Sequence, residues 1–287
     1  MNRIRLLSAL VILLQGAAMC AQNDSAAFAG GRWQRDTLDG LVLHRCHFSG
    51  KEIFASNQQI FVLEIPDSSG YRLRFAHEPV RTPVSEMAGK RLAAAAVNGS
   101  FFDMDRHFPV CFLRIDSVDL GENTPGKDTV NRKYYPYGTL CLSGDSVLIL
   151  QTDSARRWEE TLPYPDIMTA GPLLIRDGER LPMRGDRTFV TNRHNRTAVG
   201  IRHDGTTLLL VADGRFKEAE GLSLTELQQI LGWLGCRDAL NLDGGGSTTL
   251  FLNLEGRHGV QNCPSDNGRF DHNGERGVSN AILVVRK

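Results

Sequence analysis

The chain has 287 residues, of which 41% are apolar and 23% charged, and Lys+Arg equals Asp+Glu at 33 each. That is enough apolar chain for a substantial core in one large or two small domains. The balanced charge excludes the basic excess of a nucleic-acid surface but leaves room for a local anion pocket.

At the N-terminus, Arg3 and Arg5 precede the short apolar run Leu6 to Leu14. The small-residue stretch Ala17, Ala18, Met19, Cys20, Ala21 follows. This is the pattern of an export signal over residues 1–21, cut near Cys20 or Ala21. The run is too short to span a bilayer. The mature chain is therefore expected outside the cytoplasm (periplasmic, cell-surface or secreted), with no transmembrane span. Cys20 is also a candidate lipid anchor. Residues 22–35 read as a disordered leader.

From Leu41 the chain alternates as strands do. Leu41–Phe48, Gln59–Ile65 and Tyr71–Ala76 are separated by turns at Ser49-Gly50 and Ser68-Ser69-Gly70. Leu92–Val97 reads as a buried strand ending at Asn98-Gly99, and Glu122–Pro136 as a loop. Tyr137–Leu142 and Ser146–Gln151 form a hairpin across Ser143-Gly144-Asp145. Ile167–Ile175 runs to a turn at Asp177-Gly178. Arg196–His203 and Thr206–Ala212 pair across Asp204-Gly205. One helix, Leu224 to Leu234, opens on a Ser223/Glu226 capping box and stops at Gly235. Strands at Ala239–Leu242, Thr249–Leu254 and Val278–Val285 close the chain. The fold class is α+β: a single mixed domain over residues 36–287, β-rich with few helices, and a pocket formed by turns at strand ends.

Beyond Cys20 the cysteines number five, so at least one thiol is free. Cys46, Cys111 and Cys141 lie in apolar strands and read as core. Cys236 and Cys263 flank the glycine-rich loop and are the pair to test for a bridge.

That loop, Asn241-Leu-Asp243-Gly244-Gly245-Gly246-Ser247-Thr248-Thr249, is the most informative stretch. Three successive glycines suit neither helix nor strand interior. They let another group approach the backbone closely. Similar turns end other strands: Asn98-Gly99, Asn195-Arg196-Thr197, Asp213-Gly214-Arg215, and the C-terminal group Glu275-Arg276 with Asn280. If they share one rim, Arg196, Arg215 and Arg276 are cations that fork onto phosphate. Asp213, Asp243 and Glu275 are candidate catalytic carboxylates. Asn98, Thr197, Asn241, Asn280, Ser247 and Thr248 are neutral hydrogen-bonders for a sugar. Such a mixture suits cleavage beside a phosphate, where the leaving group needs little acid help and a carboxylate base or nucleophile matters more. No histidine pair has metal-ligand spacing. No cofactor is called for, and a calcium-like cation held by Asp and backbone oxygens stays open.

The run Gly221-Leu-Ser-Leu-Thr-Glu-Leu227, through Leu234-Gly235-Cys236, to Thr249 resembles the phosphodiester glycosidase family. That family includes the catalytic domain of the mannose 6-phosphate uncovering enzyme and bacterial relatives. Val97-Asn-Gly-Ser-Phe-Phe102, Arg196-Thr-Ala-Val-Gly200, and Glu275-Arg276 with Val278-Ser-Asn-Ala281 match in the same order. The resemblance implies a hydrolase that cleaves the glycosidic bond of a sugar-1-phosphodiester, such as an N-acetylglucosamine-1-phosphodiester, on a small-molecule or glycan substrate. It implies a pocket of Asn98, Arg196, Thr197, Asp213, Asp243, Gly244, Gly245, Ser247, Thr248, Glu275 and Arg276. Asp243 is the expected catalytic carboxylate, with Glu275 in reserve. Arg196 and Arg276 are expected on the phosphate, and the Gly244–Gly246 amides form an anion nest. Without the uncovering enzyme's cysteine-rich modules and membrane segment after the last motif, a bacterial envelope or dietary glycan is the expected substrate. Two other functions fit the same residues: a non-catalytic module for phosphorylated or anionic glycans, and a phosphodiesterase that cleaves P–O.

Overall fold

The computed structural model describes residues 23–123, 137–153, 157–183 and 187–287. The expected export signal and the 124–136 part of the expected loop lie outside the described residues.

Three antiparallel sheets are stacked around one core. The largest runs β1 (Gln34–Leu38), β2 (Leu41–Ile53), β3 (Ser56–Ile65), β14 (Thr207–Ala212), β13 (Arg196–Arg202), β15 (Cys236–Asn241), β11 (Leu173–Arg176) and β12 (Glu179–Arg180). A second runs β7 (Val118–Gly121), β6 (Leu113–Ile115), β10 (Asp166–Ala170), β8 (Gly138–Ser143) and β9 (Ser146–Gln151). The third runs β17 (Arg257–Val260), β16 (Leu250–Leu254), β5 (Ala95–Asn98), β18 (Val278–Arg286) and β4 (Tyr71–Thr82). Helices α1 (residues 23–29), α2 (Val84–Lys90), α3 (Arg187–Thr191) and α4 (Leu224–Trp233) complete the described elements.

The layering follows from period-2 alternation. In β14, Leu209 and Val211 enter the central core, while Leu208, Leu210 and Ala212 face a second core beneath α4. Both faces are covered, so the strand is apolar throughout. In β18, Ile282 and Val284 join the central core, and Ala281 and Leu283 pack under α2 with Val84, Met87 and Ala88. The alanine run of β5 fits there because small side chains let α2 lie close.

Several sequence expectations hold as read. The capping box closes α4, with Glu226 N donating to Ser223 Oγ at 3.2 Å and Ser223 N to Glu226 Oε2 at 2.8 Å. Gly235 takes φ +77°. Others are corrected. Residues 22–35 are not a disordered leader where described. Residues 23–29 are helical, and Phe28 is buried against Trp33, Phe48 and Trp233. Two aromatic rings in a polar stretch supply the apolar area that orders it. Strand β2 continues through Ser49-Gly50 and turns instead at Phe54 and Ala55, both at positive φ. Ile167–Ile175 breaks at Gly171-Pro172 into β10 and β11, which belong to different sheets. Cys236 and Cys263 are free thiols, as are Cys46 and Cys141. Cys236 opens β15 beneath α4, at the opposite end of the strands from Cys263, which contacts Asp213. Among the described residues no helix is long and apolar enough to cross a membrane.

Candidate active site

The turns singled out in the sequence gather at one end of the sheets. Register explains it: the start of β13 pairs with the end of β14 (Arg196 with Ala212), and Ala198 pairs with Asn241 at the end of β15. In the third sheet the end of β5 meets β18 (Asn98 with Ala281), and Leu250 at the start of β16 pairs with Val97. The glycine loop crosses from β15 to β16 and so joins the two sheets. Its backbone bonds to both: Leu242 N to Thr197 O (2.9 Å), Asp243 N to Gly99 O (3.0 Å), and Gly245 N to Asn195 O (2.9 Å).

The neutral residues form the floor. Asn98 donates from Nδ2 to Asp243 O at 2.7 Å, and its Oδ1 accepts from Thr197 Oγ1 at 2.7 Å and Thr249 N at 3.2 Å. Asn241 Nδ2 donates to Gly171 O and Leu242 O, both at 2.8 Å. Asn280 Oδ1 accepts from Ser100 N at 2.7 Å, and a side chain at Gly99 would strike it. All four (Asn98, Thr197, Asn241 and Asn280) are buried. Their hydrogen bonds fix the loop.

The glycines are needed for contact. Gly245 lies at φ +61°, and a Cβ there would sit 2.6 Å from Arg215 Nη2. At Gly246 it would collide with Arg276 Nη2 and come within 2.6 Å of Asp266 Oδ1. At Gly244 it would meet Asn195 O at 2.7 Å. Two guanidinium groups thus press directly on the loop backbone. Arg276 is held by Asp266 through Nε at 3.1 Å and through Nη2. Arg215 sits at φ +69° and is exposed, and its guanidinium has no hydrogen-bonded or ionic partner among the described residues.

Asp243 lies between these cations. Burial pushes its carboxyl up to about 6; the nearby Ser247 hydroxyl, the Gly244 N–H, Arg276 and Arg215 pull the other way. Gly244 N donates to its Oδ1 at 2.9 Å. Ser247 Oγ is close enough to lower the pKa but is out of hydrogen-bond geometry. Around it, Ser247 Oγ, Thr248 Oγ1, Thr249 Oγ1, Asn195 Nδ2, Asn241 Oδ1 and His194 Nδ1 are all buried without a partner. These six atoms, from the glycine loop, the end of β15 and residues 194–195, are polar groups for which a ligand or water can serve as partner.

Three expected site residues have their polar groups engaged within the protein. Asp213 is 0% exposed and accepts from Asn262 Nδ2 (2.9 Å), Cys263 N (3.0 Å) and Gln59 Nε2 (3.0 Å). Burial pushes it to about 6. Its oxygens accept from these donors, which ties residues 262–263 to the end of β14. Glu275 spends both oxygens on Ser85, accepting from N at 2.8 Å and Oγ at 2.6 Å. It caps the first turn of α2. Arg196 is 2% exposed, donates to the carbonyls of Leu222, Phe189 and Asn192, and lies over the Phe189 ring at 5.4 Å. Burial lowers it to about 10. It acts as an internal clamp, whereas the Arg215 guanidinium has no partner among the described residues. Asn195, Asn262, Cys263 and Asp266 complete the network. Asp266 belongs to the Pro264-Ser265-Asp266 turn that the sequence offers beside Glu275-Arg276, whereas isolated polar residues in a long loop carry no period or spacing that would reveal Asn262 and Cys263. Among the described residues no group of three His, Cys, Asp or Glu side chains is placed to hold a metal.

The family model for phosphodiester glycosidases matches residues 92–285, more than half of the chain. The chain belongs to the phosphodiester glycosidase family. Mouse N-acetylglucosamine-1-phosphodiester alpha-N-acetylglucosaminidase is 36% identical over 104 residues, which are 32% of this chain and 20% of that protein. A Bacillus subtilis prophage-derived protein, YomE, is 38% identical over 56 residues, 20% of this chain and 9% of its own length. The chain thus spans a fifth or less of the curated relatives it matches. Among solved structures, the zebrafish counterpart's catalytic domain, auto-inhibited by its pro-peptide, superposes with a TM-score of 0.64 at 18% identity. That match covers 89% of this chain and 88% of the other. A hypothetical protein from Synechocystis gives 0.58 at 18% identity, covering 89% and 64%. These likenesses establish the same β-rich fold.

Proposed function

We propose that the chain is an exported hydrolase that cleaves the glycosidic bond of a sugar-1-phosphodiester, an N-acetylglucosamine-1-phosphodiester or a close relative. The observation that carries this reading is Asp243: one uncommitted carboxylate inside a glycine loop, flanked by Arg215 and Arg276 and by unpaired buried hydroxyls. Arg215 and Arg276 bind the phosphodiester. The Ser247, Thr248 and Thr249 hydroxyls and the Asn195 amide hold the sugar. Asp243 takes a proton from water as the water oxygen bonds to the anomeric carbon. The C1–O bond breaks, and its electron pair leaves on the phosphate oxygen. A phosphate monoester is a weak base, so a single carboxylate suffices. A carboxylate with a pKa near 6 is well matched to proton transfer at neutral pH.

The mouse relative's printed activity supports the substrate class. Export is supported by Arg3, Arg5 and the Leu6–Leu14 run ahead of Ala21. The test is hydrolysis of UDP-N-acetylglucosamine and of a simple N-acetylglucosamine-1-phosphodiester in oxygen-18 water, by wild type and Asp243→Asn. Label in the sugar, lost with the variant, is the expected result. Label in phosphate would replace the reading by P–O cleavage. Ligand binding without turnover in the wild type would replace it by a binding module. Proton NMR of the first-formed anomer tests the base role: retention would make Asp243 a nucleophile.

A further inference from the structure

A cleft of about 410 Å³ opens between residues 32–34, β2, β3 and the 261–272 loop. Its lining includes Arg32, Arg45, His47, His272, Gln59 and Gln261, and no carboxylate lines it among the described residues. A chain of zero net charge has no general reason to collect two guanidinium groups and two imidazoles in one concavity.

The cations there are under-partnered. Arg45 reaches only Asp36, at 3.6 Å, and that same Asp36 oxygen accepts from Arg257 Nη2 at 2.5 Å. Arg45 Nε is buried with no hydrogen-bond partner among the described residues. The Arg32 guanidinium is exposed and unpaired among the described residues. A buried donor without an acceptor is a standing cost that an oxyanion removes, and guanidinium pairs with carboxylate or sulfate by paired charge-assisted bonds. The imidazoles are oriented: His47 Nε2 bonds Glu218 O at 2.9 Å and His272 Nδ1 bonds Asn262 O at 2.7 Å. Each neutral ring then has its other nitrogen as an acceptor for a hydroxyl. Anion donors beside hydroxyl acceptors describe a sugar acid better than a bare ion.

The cleft adjoins the proposed phosphate site. Gln59 lines it and donates to Asp213 Oδ2 at 3.0 Å, and Asp213 leads directly into Gly214-Arg215. We propose that this cleft is a second binding subsite that takes the acidic group of an anionic saccharide, a carboxylate or sulfate on a polyhydroxylated ring. On the proposed function it would hold an acidic acceptor arm of the substrate. Its binding chemistry does not depend on that reading.

The test is calorimetric titration of the full chain with glucuronate, glucose 6-sulfate, inorganic sulfate and glucose, alongside turnover of a neutral-acceptor phosphodiester. Glucuronate and glucose 6-sulfate should bind saturably, with glucose and inorganic sulfate at least tenfold weaker. The double variant Arg32→Gln/Arg45→Gln should lose at least tenfold in affinity, while Arg215→Gln binds as wild type. If the double variant does not fold, Arg32→Glu alone must give the same loss, since Arg32 is an exposed side chain. Unchanged affinity in these variants, or loss in Arg215→Gln, overturns the subsite. Inorganic sulfate binding as tightly as the sugar acids overturns the saccharide assignment. Failure of turnover with binding intact removes the glycosidase reading and leaves the subsite standing.

Discussion

Asp243→Asn should abolish turnover and at the same time make the protein more stable at neutral pH. The folded carboxylate has its pKa raised from the usual 3.8 to about 6, chiefly by burial. The folded state therefore holds the proton more tightly than the unfolded chain. Between pH 4 and 6 it carries more protons, so stability falls as pH rises through that window, and above pH 6 the full cost of a desolvated charge is present. At about 1.36 kcal/mol per pK unit this cost is roughly 3 kcal/mol, a ceiling because part of Asp243 remains open to solvent. The amide keeps an oxygen for Gly244 N, which donates to Oδ1 at 2.9 Å, so the loop loses little geometry. Asparagine carries no charge to desolvate. In thermal melts the variant should match wild type near pH 4 and gain up to roughly 6–12 °C at pH 7, from about 2–4 °C per kcal/mol for a domain of this size. Turnover at pH 7 should fall by roughly 100- to 10,000-fold, the usual contribution of a positioned base. Wild-type kcat/KM should rise through pH 6. A variant that is less stable at pH 7, or whose gain is the same at pH 4, would refute the burial argument. Full activity would remove Asp243 from the chemistry.

Glu275→Gln separates a helix cap from a catalytic acid: with both oxygens on Ser85, the amide should lower stability by about 1 kcal/mol and leave kcat within tenfold of wild type. A loss of a hundredfold at unchanged fold would restore its catalytic role. Gly246→Ala drives a Cβ into Arg276 Nη2 and Asp266 Oδ1, so substrate KM should rise at least tenfold as Arg276 moves. The measurement is steady-state kinetics beside a melting curve. Asp213→Ala strands the donors of Asn262, Cys263 and Gln59; at about 1–3 kcal/mol for each buried unsatisfied group, denaturation in urea should show a loss of at least about 3 kcal/mol.

The layered β-rich fold was legible because alternation and turn chemistry act locally. The β13–β14 hairpin shows this: Asp204-Gly205 sets the turn, Gly205 takes φ +85°, and unbroken apolar residues reveal that both faces are covered. Residues 23–29 were missed because their order comes from Phe28 meeting Trp233, about two hundred positions away, and no local pattern encodes that contact. The short helix α2 was missed for a related reason. Pro83 opens it without a side-chain cap, and the acceptor for its first turn is Glu275, at the other end of the domain.

The same distinction governs the site. Composition at strand ends picked out residues that the fold brings together at one end of the sheets, but not which of them have their polar groups engaged within the protein. Arg196, Arg215 and Arg276 are alike in sequence, yet Arg196 is consumed by three backbone carbonyls, Arg276 is steadied by a single Asp266 oxygen, and Arg215 has no partner among the described residues. Asp213 and Asp243 both follow an apolar strand and both are pushed to about 6, yet only Asp243 has its donors confined to the loop it sits in. A carboxylate is available for chemistry when its environment raises its energy without using up its lone pairs. Asp213 meets the first condition and Asp243 meets both. The difference lies in the loop at Asn262-Cys263, which reaches over Asp213 and leaves Asp243 bare. The division of labour between these aspartates is therefore a property of tertiary packing, and the paired measurements on Asp213→Ala and Asp243→Asn, one losing stability and the other gaining it, read that division directly.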